Sequence, residues 1–226
     1  MTNLAQPIRR IINEPRERFG LLLGLLVIAF VVSGLDGDGW MRLVVGVLNV
    51  TAVMVTFAST GLRVHAPRVA TVVVVAVVGS VLLAPGIGEA PTSVGAAIQV
   101  VVLSVMTLAV LGRVLGHREV TNQTLLGAVA AYFLIGQLFA WLYMALPDYA
   151  DGGVLAPTMT DEIPMYYSYV VLTTLGFGDV VPLGDLAERV TVIEALIGQM
   201  FLAILVARLV AMYPRPDRVD TRAGNP

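Results

Sequence analysis

Six stretches of this sequence are apolar nearly throughout. They cover residues 19–35, 41–60, 69–84, 94–115, 125–146 and 186–213. A helix of roughly 20 apolar residues crosses the hydrocarbon core of a bilayer, about 30 Å thick. One such stretch is compatible with a buried core helix. Six in succession, apolar on all sides, leave no polar remainder to cover them. Only 13% of the 226 residues are charged, about half the share that a water-facing surface carries. That shortage excludes an ordinary soluble enzyme, and the apolar content excludes disorder. The chain has no Cys, so disulfide scaffolds and thiolate metal sites are excluded. The runs are rich in Val, as at 72–75. Val favours strands in water, but in lipid the backbone must satisfy its own hydrogen bonds, so helix is expected.

The charges sort by side. With six spans, one side holds Arg9, Arg10, Arg16, Arg18, Arg63, Arg68, Arg113, Arg118, Arg215, Arg218 and Arg222, and the other holds Arg42 and Arg189. The positive-inside rule then places both termini in the cytoplasm of a multi-pass protein of the cell membrane. Asp36, Asp38, Glu89, Asp148, Asp151, Asp161, Glu162, Asp179 and Asp185 fall outside. Trp40, Trp141 and Tyr143 fall near the outer interface, where amphipathic aromatic rings collect.

Residues 163–173 are apolar and aromatic but too short to span, which suggests a re-entrant helix. They lead straight into Thr173-Thr174-Leu175-Gly176-Phe177-Gly178-Asp179. This stretch resembles the pore of the tetrameric potassium channel family, whose filter reads Thr-x-Gly-Tyr/Phe-Gly-Asp. The preceding Tyr166-Tyr167-Ser168-Tyr169-Val170-Val171-Leu172 is similar to that family's aromatic pore helix. The resemblance is strong over 125–213 and extends to the first four spans only in number and topology, as in the six-span, voltage-gated-like superfamily. The expected fold class is an all-α membrane protein of six transmembrane helices, with a re-entrant pore helix and filter loop between the fifth and sixth. Its expected parts are a cytoplasmic leader (1–18), a four-helix sensor-like unit (19–118), a pore domain (122–213) and a cytoplasmic tail (214–226).

The chemistry of such a loop follows from its residues. A dehydrated monovalent cation needs oxygens to replace its water, and backbone carbonyls supply them when successive peptides point inward. That requires an alternating backbone with some φ > 0, which Gly176 and Gly178 adopt cheaply because they lack Cβ. The resemblance assigns K+ rings to the carbonyls of Thr174, Leu175, Gly176 and Phe177, with a further hydroxyl from Thr174. It places Gly178 at the outer end of the filter, Asp179 at the outer mouth and Thr173 in filter support. Leu175 stands where the family usually has Val or Ile, and Phe177 where Tyr is commonest. One chain supplies one such strand, so a ring requires several chains; the family uses four.

The last run contains Glu194 and Gly198. An acid inside a span faces protein or water, and Glu194 is expected to brace the back of the pore helix or to make a structural hydrogen bond elsewhere. Gly198 sits where the family has a gating hinge; close packing of helices calls equally for a small residue. The fourth run carries one charge, Arg113, at its inner end. Gating charges couple a helix to the membrane field, so intrinsic voltage gating is not expected.

The function expected is passive K+ conduction through a homotetramer, with no enzymatic activity. K+ is the permeant ligand, and no other cofactor is expected. Membrane lipid is the surrounding partner, with anionic inner-leaflet lipid near the leader, and no nucleic acid is implied. A non-selective cation channel, a potassium transporter subunit and a non-conducting membrane protein stand as alternatives.

Overall fold

The computed structural model describes residues 18–33, 40–60, 93–116, 121–146, 154–156 and 163–211. The expected third span (69–84), the outer acids Asp148, Asp151, Asp161 and Glu162, the leader up to residue 17 and residues 212–226 lie outside the described residues. In chain order the elements are α1 (Phe19–Ser33), α2 (Trp40–Thr60), α3 (Ser93–Gly116), α4 (Asn122–Ala145), β1 (Leu155–Ala156), α5 (Ile163–Leu172), β2 (Val181–Pro182) and α6 (Gly184–Ala211). Among the described residues, three segments are helical, long and apolar enough to cross a membrane: Val94–Gly116, Asn122–Ala145 and Gly184–Arg208. Shorter apolar helices cover Phe19–Val32, Val47–Thr56 and Ile163–Leu172.

Several hydroxyls are satisfied within their own helix. Thr121 caps α4: its hydroxyl accepts from the Thr124 amide, and the Thr124 hydroxyl accepts from the Thr121 amide. This reciprocal box satisfies two of the donors that a helix N-terminus leaves unpaired. Thr51, Thr56 and Ser104 donate to the carbonyls of Val47, Ala52 and Val100, four residues back. In an apolar medium that arrangement hides hydroxyls which would otherwise lack partners.

Helix α4 is the hub of the packing. It meets α1, α3, α5 and α6. Apolar attraction is weak where the solvent is itself apolar, so close packing of small residues carries more of the association. The contact faces of α4 supply them: Gly127, Ala128, Ala130, Ala131, Gly136 and Ala140 are all buried. One cluster joins Phe19, Leu22 and Leu26 to Val53, Met106, Val110 and Leu134. A second joins Phe139 and Tyr143 to Leu155, Tyr167, Leu172 and Ala187.

A short antiparallel ladder supplements the helices. Leu155 faces Pro182 and Ala156 faces Val181, and the Leu183 amide donates to the Val154 carbonyl at 2.8 Å. It ties the segment before α5 to the segment between the Gly-rich loop and α6. Tyr143, two residues before the end of α4, is fully buried, and its hydroxyl finds polar partners inside the protein.

Candidate functional site

Helix α5 is ten residues long and wedged between α4 and α6. Its aromatic side chains fix it from both sides. Tyr169 donates to the Phe133 carbonyl at 2.8 Å and packs edge-on against Phe30 of α1, centroids 4.9 Å apart. Gly136 makes room for it: a Cβ there would lie 2.5 Å from the Tyr169 ring. Tyr132 of α4 donates to the Leu172 carbonyl at 2.8 Å and packs on Phe201 of α6.

The helix ends in a Schellman cap. The Thr174 amide donates to the Val171 carbonyl, and the Leu175 amide to the Val170 carbonyl, both at 2.9 Å. The cap requires a left-handed residue, usually Gly. Here that residue is Thr174, at φ 60°, which costs a side-chain-bearing residue roughly 1–2 kcal/mol. Gly176 follows at φ 56° and Gly178 at φ 75°. Every second residue from 174 to 178 is therefore left-handed. Thr173 anchors the start by donating its hydroxyl to the Tyr169 carbonyl at 2.6 Å.

At the far end the Tyr166 hydroxyl donates to Asp179 at 2.6 Å, and the Val180 amide donates to the other carboxylate oxygen at 3.0 Å. The Tyr166 bond holds the Asp179 carboxyl below the ordinary carboxylate range, because it favours the charged form. The loop thus lies between two fastenings, one on α5's last turn and one on its first. Within the single chain residues 173–179 are exposed, with Leu175 59% and Phe177 65% accessible. Neighbouring α6 is bare on several faces, including Val192, Leu196, Met200, Ile204 and Val210.

Behind the loop lies a buried polar knot. Glu194 of α6 is fully enclosed. One of its oxygens meets the Ser168 hydroxyl of α5 and the other the Tyr143 hydroxyl of α4. Thr191, one turn away, meets the hydroxyls of Tyr143 and Tyr167. The structure therefore places Glu194 against α5, and a few residues on it places Gly198 against the end of α5. A Cβ at Gly198 would lie 2.3 Å from the Leu172 carbonyl oxygen, so the residue serves close packing at that point.

Asp179 stays with the loop, and Thr173 lies at its start. Tyr132, Tyr143, Tyr166, Tyr167, Ser168 and Thr191 escaped sequence reasoning as loop supports. Only the crowding of hydroxyl-bearing aromatics at 166–169 hinted at them.

A half-length helix and an alternately handed Gly-rich strand thus lie in sequence between two long apolar helices. Residues 127–214, from within α4 to just past the end of α6, match the model of the ion channel family. Over 85 residues, 38% of this chain, the sequence is 31% identical to the inward rectifier potassium channel Kirbac3.1 of Paramagnetospirillum magnetotacticum. The matched stretch covers 28% of that protein, so the chain spans less than a third of the curated relative's length. No solved structure gives a significant match.

Proposed function

We propose that the protein is a potassium-selective channel that conducts passively as a homotetramer. The observation that carries this reading is the left-handed backbone at Thr174, Gly176 and Gly178, set in an exposed loop between spanning helices. Alternation of handedness turns successive carbonyls toward the same side, as a carbonyl-lined filter requires. In this reading the carbonyls of Thr174, Leu175, Gly176 and Phe177 hold dehydrated K+. The Thr174 hydroxyl explains why a strained Thr occupies a position that Gly would fill more cheaply. Asp179 draws cations to the mouth. The exposure of Leu175, Phe177 and α6 in one chain is removed when four chains close a ring.

Thr173 and Glu194 support the filter from behind, and bending of α6 near Gly198 is the proposed gating motion. Six spans, both termini in the cytoplasm, a cell-membrane location and lipid contacts complete the proposal. The fourth span's single charge, Arg113, leaves no intrinsic voltage sensor. Phe177 lacks the hydroxyl that Tyr contributes at this position, which favours weaker Na+/K+ discrimination as the second reading.

Planar-bilayer recording of the purified protein tests both. A reversal potential that follows the K+ gradient supports selective conduction. Equal Na+ permeation establishes the second reading, and absence of current refutes both.

A further inference from the structure

The knot behind the loop contains more acceptors than its hydroxyls can serve, and this shortage locates a proton. Ser168 carries one hydroxyl hydrogen. Its Oγ lies 2.7 Å from the Gly136 carbonyl oxygen and 2.5 Å from Glu194 Oε1. The carbonyl can only accept, and so can an ionised carboxylate. With Glu194 ionised, Ser168 serves one of them and presses bare lone pairs against the other. No neighbour removes the conflict. Tyr143 from α4 serves Glu194 Oε2 at 2.8 Å. Thr191, on Glu194's own helix, donates to the Ala187 carbonyl and accepts from Tyr167 of α5. Tyr132 and Tyr169 lie farther off, their hydroxyls committed to the Leu172 and Phe133 carbonyls. Among the described residues no basic side chain pairs with Glu194.

We infer that Glu194 stands behind the pore helix as the neutral carboxylic acid, donating to Ser168, and that its ionisation loosens the pore helix. With this proton in place the donors run in one direction: Tyr143 to Glu194, Glu194 to Ser168, and Ser168 to the Gly136 carbonyl. Each short contact then holds a hydrogen. Removing the proton sets Ser168 against either Gly136 on α4 or Glu194 on α6, so one of the two ties of α5 opens. Glu194 touches no ion; it is a positioning residue, and its effect on conduction rests on the reading of 174–178 as a filter.

The test uses the full chain in liposomes. Isotope-edited infrared spectra at neutral pH are expected to show a protonated carboxyl band that Glu194→Gln removes. The Gln amide can donate to Ser168 and accept from Tyr143, as the acid does. Glu194→Gln is therefore expected to carry about tenfold more K+ flux than Glu194→Ala, which leaves Ser168 and Tyr143 short of partners. A carboxylate band at neutral pH or a Gln variant no better than Ala overturns the inference. Absence of wild-type flux overturns the channel reading alone, since the infrared band still decides the proton.

Discussion

Replacing Gly198 by Ala separates two roles that one glycine can serve in an inner helix. The new Cβ would lie 2.3 Å from the Leu172 carbonyl oxygen and 3.0 Å from its Cδ1. The side-chain atom can rotate away, but the backbone oxygen cannot. It is held by the Tyr132 hydroxyl at 2.8 Å and lies two residues before Thr174. Reaching even 3.0 Å, the lower limit of real Cβ contacts, requires α6 or the end of α5 to retreat by about 0.7 Å, which stretches the Tyr132 bond or moves the start of the 173–179 loop. Overpacking of this kind costs about 1–3 kcal/mol. It outweighs the roughly 1 kcal/mol that Ala gains over Gly in helix propensity.

Gly198→Ala is therefore expected to lower the thermal midpoint of the purified protein and to reduce K+/Na+ selectivity, as read from bilayer reversal potentials. Tyr132→Phe, which frees the Leu172 carbonyl, is expected to recover part of the lost stability in the double variant. A hinge without the packing contact predicts another pattern, in which open probability changes while selectivity and stability hold. Observing that pattern refutes the packing argument.

Gly176→Ala and Gly178→Ala meet no neighbouring atom within 4 Å in the chain, so their cost is torsional, roughly 1–2 kcal/mol each for a left-handed residue bearing Cβ. Each is expected to abolish selective K+ flux in a liposome assay, and retained selectivity at either position contradicts the alternating strand. The Tyr166–Asp179 bond gives a pH signature. The folded carboxyl titrates below its unfolded value, so its contribution is complete above the ordinary carboxylate range and is lost as pH falls through the lowered value. Tyr166→Phe is expected to move the acid-side loss of conductance to higher pH, measured with the outer solution titrated. An unshifted acid limb removes Asp179 from the mouth.

The parts of this architecture that depend on hydropathy and local chemistry were visible in the chain. The run at 94–115 becomes α3 (Ser93–Gly116), and that at 186–213 becomes α6 (Gly184–Ala211). Residues 163–173 stop short of spanning because Thr173 and Thr174 turn the chain. Gly176 and Gly178 announce positive φ by lacking Cβ. Thr174 does not, since a β-branched residue avoids that region, and only the cap geometry reveals it. The partners of Glu194 were illegible for another reason. Tyr143 lies 51 residues away and Ser168 26, and a span apolar on every side carries no periodic signal of which face meets which helix.

The aromatic joint of Phe30, Phe133 and Tyr169 has a consequence for the order in which the protein is made. Phe30 of α1 precedes Tyr169 of α5 in the chain and leaves the ribosome before it. The wall that Phe30 and Phe133 form behind α5 is thus made first and waits for its occupant. All three rings belong to one polypeptide, so this joint needs no second chain to close it.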